Sequence, residues 1–381
     1  MENLKNQKIL YSGIGNMGLP GLIGLLENPE VNNNDVTIIC GSKPHNNAQA
    51  MASLLAEKGI EINSDNLISY PDLDVHAIPQ PDIVVLGIKP YQLESVLKQY
   101  DPIIADDTIL LSMLAGTPTQ AYKDGLSSNP KVARIMPHVP LASYGLYSDD
   151  KQAIETAKLT FTGMGAPTVL SNEDQMHSFT AIAASAPAFI AQFVAKFTDN
   201  TMQKHALKRL KDLARGETIE DSATQKMDGI VTDKCISFYN NYLAASQYYL
   251  GKEAGLETLQ NTLEATASDL QKTDLSLDDY IASVRSKKGT TNAGLLFMGN
   301  CCPQNADWGN DEQLASQKKI SLKSQSIDCA ESIKHAIVSC TNRSIGSGQD
   351  ASNPMHGVNE KEVLATVEQI NKTMLKKITF P

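Results

Sequence analysis

The sequence predicts an α/β protein, a doubly wound parallel sheet followed by an all-α region, and three observations support this. Short β-branched or leucine-rich runs alternate with helical patterns in roughly the first 170 residues. A glycine-rich turn joins the first run to the first helix. Beyond that region the strand signals stop, and apolar residues recur at the spacing of one helix face. With 381 residues the chain exceeds the usual reach of a single core, so two domains are expected.

The elements follow in order. Lys8 to Ser12 is an apolar strand that runs into glycines, and Leu19 to Leu26 is a helix that tolerates Pro20 in its first turn. Asn32 to Asp35 is a loop, Val36 to Cys40 a β-branched strand and Asn46 to Lys58 a helix, which makes a parallel pair with a crossover. Asp82 to Ile88, Thr108 to Ser112 and Lys131 to Met136 are further short apolar runs bounded by Pro, Gly or Asp, as strands buried on both faces should be. Farther on, Ile190, Phe193, Val194 and Phe197 share a helix face, as do Leu256, Leu259, Leu263 and Leu270. Residues 198–250 read as an inserted helical excursion and Pro303 to Ser326, with Trp308, as a loop. Ile327 to Arg343 is a helix, Gly346 to Pro354 a linker, and Val363, Val367, Ile370 and Met374 mark a last amphipathic helix. The expected divisions are 1–170, 171–346 and a tail at 347–381.

Composition excludes several functions. A net charge of -10 argues against a general nucleic-acid binder, which needs a basic face. Six cysteines contain no CxxC pair, and the seven histidines form no HxxxH, so no metal is expected and the thiols read as reduced. Met1 to Lys8 is polar, with no basic-then-apolar leader, so a cytoplasmic location is expected. Phe179 to Ala195 is interrupted by Ser185, Pro187 and Gln192 and rich in alanine, so it reads as a buried helix and no membrane partner is expected.

The turn Gly13-Ile14-Gly15-Asn16-Met17-Gly18 has the GxGxxG spacing of a Rossmann-type dinucleotide domain. Alone the pattern is weak, since ordinary turns also hold glycines at this spacing. Here it follows a strand and opens a helix, so backbone N–H groups and the helix dipole can face a pyrophosphate. At the end of the second strand a carboxylate would bond ribose hydroxyls and repel a 2′-phosphate. This chain has Cys40-Gly41-Ser42-Lys43 there, and a hydroxyl and an ammonium without a nearby acid favour NADPH over NADH. The competing reading is that Lys43 starts a solvated helix.

Six stretches, the glycine turn among them, occur in one order: Gly13 to Met17, Ile88-Lys89-Pro90-Tyr91-Gln92, Ala115-Gly116, Arg134 to Pro140, Thr180 to Phe189, and Ser286-Lys287-Lys288-Gly289-Thr290-Thr291. On these segments the chain resembles the pyrroline-5-carboxylate reductases, over residues 8–197 and 251–296 with an alignable helix near 330–346. The resemblance implies a Rossmann domain followed by a helical dimerisation domain, a homodimer or higher homo-oligomer, and an active site built between subunits. It implies NADPH-dependent reduction of a small anionic imine, Δ1-pyrroline-5-carboxylate, to L-proline, the last step of proline biosynthesis. The cofactor candidates are Gly13, Gly15, Asn16, Met17 and Gly18 from the glycine turn, Ser42 and Lys43 from the second strand end, and Lys89, Pro90, Ala115, Gly116, Met136 and Pro137 from the resemblance, with His138 a pocket candidate where the family usually has asparagine. Substrate contacts fall to Ser185, Ser286, Gly289, Thr290 and Thr291, with Thr291 bonding the imine nitrogen and Lys89 as the second catalytic candidate.

The residues around Thr291 make chemical sense on their own terms. Gly289 to Thr291 opens a helical segment whose unpaired N–H groups suit a carboxylate, with Arg285, Lys287 and Lys288 around it. A solvated helix start is the competing reading of those charges. Arg134 is either a site residue or one half of a strand-end ion pair. The chain departs from the family where Ala183-Ala184-Ser185-Ala186-Pro187 stands for serine-glycine-serine-glycine-proline and Lys287-Lys288 for proline-glycine. Added methyl groups would narrow the pocket and strain any positive φ there. Two rival functions follow: reduction of another cyclic imine or a 2-oxo acid, and a non-catalytic dinucleotide-binding regulatory protein.

Overall fold

A computed structural model describes residues 4–15, 17–41, 47–138, 143–197, 199–217 and 226–284, together with residues 291, 295, 333, 336, 337, 340 and 341. Asn16, Ser42, Lys43, Ser286, Gly289, Thr290, the expected 303–326 loop and the 347–381 tail lie outside the described residues. The chain divides into two units, one of residues up to Pro137 with Ser143–Glu173, the other of His138 with the described residues from Asp174 on.

The first unit is built on an eight-stranded sheet: β1 (Ile9–Ser12), β2 (Val36–Cys40), β3 (Leu67–Ser69), β4 (Ile83–Leu86), β5 (Ile109–Ser112), β6 (Lys131–Pro137), β7 (Ser143–Tyr147) and β8 (Ala166–Val169). Its order is β3-β2-β1-β4-β5-β6-β7-β8. Every pair is parallel except β6–β7. The central strands are wholly buried, which is why they read as continuous apolar runs rather than alternating ones. Five helices belong to this unit: α1 (Gly18–Leu26), α2 (Ala48–Glu57), α3 (Leu93–Tyr100), α4 (Thr119–Asp124) and α5 (Lys151–Thr160). One core layer joins Leu10, Val84, Leu110 and Val132 of the sheet to Leu93, Val96, Leu97 and Tyr100 of α3 and Tyr122 of α4. At about 25 cal/mol per Å² of apolar surface, such burial dominates the stability of the layer.

Sequence reasoning misses three strands. β3 is three residues long, and β8 carries Pro167, so neither has a strong signal. β7 pairs antiparallel with β6 in the otherwise parallel sheet, because the five residues between the two strands are too few for a parallel crossover. The Asn32–Asp35 loop contains a short 3₁₀ turn over Asn33–Asp35.

The second unit is helical in its described part: α6 (Gln175–Phe179), a π-helical turn over Thr180–Ala184, α7 (Ala186–Val194), α8 (Asn200–Ala214), α9 (Lys226–Leu250), α10 (Lys252–Lys272) and α11 (Leu277–Val284). Gln175–Val194 is long and apolar enough to cross a membrane by length and composition, and 89% of that window is buried in the fold. Helices α8 and α9, in the stretch read as an excursion, pack with α10. Phe193 of α7 stacks on Phe238 of α9 with ring centroids 4.3 Å apart and meets Phe197 edge-on at 5.5 Å. Ile333, Ala336, Ile337 and Cys340 are helical and fully buried, the 3–4 residue spacing expected for that segment.

Candidate functional site

In the first unit, expected site residues gather where β1, β2, β4 and β5 end beside β6. The last ladder row runs Ser12–Leu86–Ser112–Arg134, with Ser12 also beside Ile39 of β2. From this row the chain leaves as Gly13 after β1, Gly41 after β2, Lys89 and Pro90 after β4, and Ala115 and Gly116 after β5. Arg134, Met136 and Pro137 are within β6, which runs one residue past the expected strand and pairs them with Tyr147, Gly145 and Tyr144 of β7. Strand order diverges on either side of β1, and carboxyl ends at such a switch point are the usual place for a dinucleotide.

The glycines of the first turn have distinct roles. Gly13 sits at φ +95°, and a Cβ there would overlap the backbone of Gly87 and Ile88. A Cβ on Gly18 would overlap the carbonyl of Gly13, so α1 starts in direct contact with the end of β1. A Cβ on Gly15, by contrast, would meet nothing within 4 Å. That open space lies beside the amino terminus of a nine-residue helix with no acidic residue in its first turn. These features fit a pyrophosphate held by backbone N–H groups. The buried Tyr11 hydroxyl donates to the Gly18 carbonyl at 2.7 Å, and Tyr100 donates to Ser12 Oγ at 2.9 Å, locking the turn from beneath. Burial pushes the Tyr100 phenol up to about 12, so it stays a donor.

The other strand ends are held by side chains. Lys89 is exposed, and its backbone N–H donates to Gln92 Oε1 at 3.0 Å, fixing the turn that contains Pro90. Gly116 has φ +69° and Ala115 is exposed. This turn is pinned at both ends. Ser112 Oγ accepts from Leu114 N and meets the Tyr122 hydroxyl, while Glu173 accepts from Thr119 N at 2.7 Å and from its hydroxyl at 3.0 Å. Glu173 also pairs with Arg134 at 2.9 Å, with the arginine side chain only 3% exposed. The ion-pair reading of Arg134 is therefore the one the geometry bears out. Glu173 was invisible to sequence reasoning because it is a lone acid 39 residues from its partner.

Within the second unit, two residues named from separate segments come together. Thr291 Oγ1 donates to Ser185 Oγ at 3.0 Å, across 106 positions of sequence. Cys340 Sγ lies 3.3 Å from the same Ser185 oxygen, and all three residues are buried. Sequence reasoning missed Cys340, which no local pattern marks. The Ser185 N–H bonds back to the Thr180 carbonyl at 2.9 Å, closing the π turn that precedes it, and the Ile182 carbonyl of that turn accepts from the buried Tyr242 hydroxyl. Such π turns often lie at functional positions. Ala184 and Ala186 are helical, so the added methyl groups meet no positive-φ strain; among the described residues only Asn6 combines a side chain with positive φ. His138 is fully buried in this unit. Among the described residues no cluster of His, Cys, Asp and Glu suits a metal.

With this geometry in place, comparison with known proteins adds relatives. Residues 9–137 match the family model described as ketopantoate reductase PanE/ApbA. The pyrroline-5-carboxylate reductase of Staphylococcus aureus (strain COL) is 24% identical over 296 residues, which cover 76% of this chain and 88% of that protein. The enzyme of the same name from Staphylococcus haemolyticus is 24% identical over 300 residues. Solved structures similar to this chain include a pyrroline-5-carboxylate reductase from Coxiella burnetii (19% identity, 91% of this chain and 100% of that one, TM-score 0.47). A second is the Plasmodium falciparum pyrroline carboxylate reductase with NADP bound (16% identity, 91% and 100%, TM-score 0.44).

Proposed function

We propose that this divergent relative of the pyrroline-5-carboxylate reductases is an NAD(P)H-dependent oxidoreductase acting on C=N bonds, and that its reaction is NADPH-dependent reduction of Δ1-pyrroline-5-carboxylate to L-proline. The observation that carries the reading is the meeting of Thr291 and Ser185 at 3.0 Å, since both stand in segments that match that family. The strand-end geometry of the first unit supports the cofactor half of the proposal.

In this reading Gly13, Gly15 and Gly18, with Asn16 and Met17, hold the pyrophosphate, and Ser42 and Lys43 receive the 2′-phosphate. Lys89, Pro90, Ala115, Gly116, Met136, Pro137 and His138 line the rest of the cofactor site. When bound, NADPH would supply the hydride that reduces the imine carbon, the C=N π electrons becoming the nitrogen lone pair. A protonated imine is already electrophilic, so the protein need not supply a strong acid. Its residues mainly orient the reactants, an effect that can be worth roughly 7 to 11 kcal/mol in favourable cases. Thr291 holds the ring nitrogen, and backbone N–H groups of residues 286–291 hold the carboxylate. The protein acts as a homodimer or larger homo-oligomer in the cytoplasm.

The test is NADPH oxidation by the purified chain with pyrroline-5-carboxylate, run beside NADH. Turnover with a clear NADPH preference is expected. A preference for NADH would sink the assignment of Ser42 and Lys43, and NADPH binding without consumption of any imine would favour a regulatory protein. Thr291→Ala should lower kcat about 10- to 100-fold, the worth of a hydrogen bond to a charged group, with NADPH affinity unchanged.

A further inference from the structure

The hydroxyl pair in the second unit has a polarity, and the polarity restricts what it can bind. A hydroxyl carries one proton and two lone pairs. Thr291 commits its proton to Ser185 Oγ at 3.0 Å, and the Cys340 thiol donates to that same oxygen from 3.3 Å. Ser185 is thereby a double acceptor, and Thr291 is left with lone pairs only. Burial keeps water from scrambling this arrangement, since Ser185 is 1%, Cys340 0% and Thr291 5% exposed. Ser185 is itself held by the π turn, through its N–H bond to the Thr180 carbonyl.

We propose that Ser185, backed by Cys340, is a positioning residue that fixes Thr291 as a hydrogen-bond acceptor, so that Thr291 meets a ligand atom bearing N–H. The inference rests on the reductase reading above and deepens it: Ser185 acts through Thr291 rather than on the substrate. A protonated ring nitrogen brings the needed proton, whereas the bare carbonyl of a 2-oxo acid would leave two acceptors facing each other, at a cost in affinity. Cys340 contributes as a weak donor whose removal lets the Ser185 lone pairs reorient.

The experiment is a mutant cycle on the full chain, with kcat for pyrroline-5-carboxylate, NADPH affinity and melting temperature measured together. Ser185→Ala should lower kcat roughly tenfold, the worth of about one hydrogen bond, while NADPH affinity holds. The Ser185→Ala, Thr291→Ala double variant should be no slower than Thr291→Ala alone, because the first change acts through the second. Cys340→Ser, which keeps a donor, should stay within about twofold of wild type; Cys340→Ala should fall between wild type and Ser185→Ala. Wild-type turnover in Ser185→Ala, or a double variant slowed by the product of the single effects, overturns the inference and leaves the reductase reading standing. If Ser185→Ala melts below the assay temperature, the Cys340→Ala and Thr291→Ala cycle reads the same coupling. A wild-type chain that binds NADPH and reduces no imine overturns the reductase reading and this inference with it.

Discussion

The two units place their candidate groups by different means. In the first, the described groups expected at the pyrophosphate are backbone: a turn at positive φ, a helix start and a row of parallel strand ends. In the second, the described groups are side chains, Ser185, Thr291 and Cys340, drawn from 106 and 155 positions apart. A backbone site is encoded locally, because glycine spacing and a preceding strand are enough to shape it. A side-chain cluster exists only after helices have packed, so no short window of sequence contains it. The contrast teaches that the same chain can hold one half of a function in a motif and the other half in its tertiary structure.

The contrast is not complete, and Glu173 is where it can be broken. If the first unit's strand ends were shaped only by local sequence, removing a distant carboxylate would leave them unchanged. Glu173→Ala strands the Arg134 guanidinium, 3% exposed, and releases two bonds to Thr119. Because Glu173 is 24% exposed, the loss should cost less than the roughly 3 to 5 kcal/mol of a fully buried pair. The expected outcome in a denaturant melt is a large drop in midpoint with little change in slope, accompanied by weaker NADPH binding as the Ala115–Gly116 turn loosens. An unchanged midpoint would show that the pair contributes nothing net.

A second pair of variants separates folding from binding inside the glycine turn. Gly13→Ala forces a side chain into φ +95° and into the Gly87 backbone, so it should destabilise the free protein by about 1 to 3 kcal/mol. Gly15→Ala meets open space and should leave the melting temperature nearly unchanged while weakening NADPH binding. Equal effects of both on the free protein would contradict the division of roles. The smallest effect is expected at the thiols. Burial pushes Cys40 up to about 11 and Cys235 up to about 12, so both stay protonated at pH 8. Iodoacetamide at that pH should leave the Cys40 and Cys235 peptides unmodified until the chain is denatured, as read by mass spectrometry.

Much of the first unit was legible because its strands are buried on both faces and therefore spell out apolar runs, bounded by Gly, Pro or Asp. β3 and β8 were not legible: three residues, or four with a proline, fall below any pattern. The antiparallel turn into β7 escaped because pairing direction is set by the connection and not by the strand's composition. For Arg134 the sequence left two readings open, and only the approach of Glu173 chose the ion pair.

By itself, then, the sequence determined the alternation of strands and helices, the glycine turn and its position before a helix, and the helical character of the second unit. These follow from local periodicity and from backbone conformations that only certain residues tolerate. The tertiary structure alone decided that Glu173 pins the turn after β5, that a π turn precedes Ser185, and that Ser185 stands between Thr291 and Cys340. Each of these depends on a contact across tens of residues, and hydrogen-bond polarity within a buried cluster is fixed by which neighbours arrive, a fact that no spacing along the chain contains.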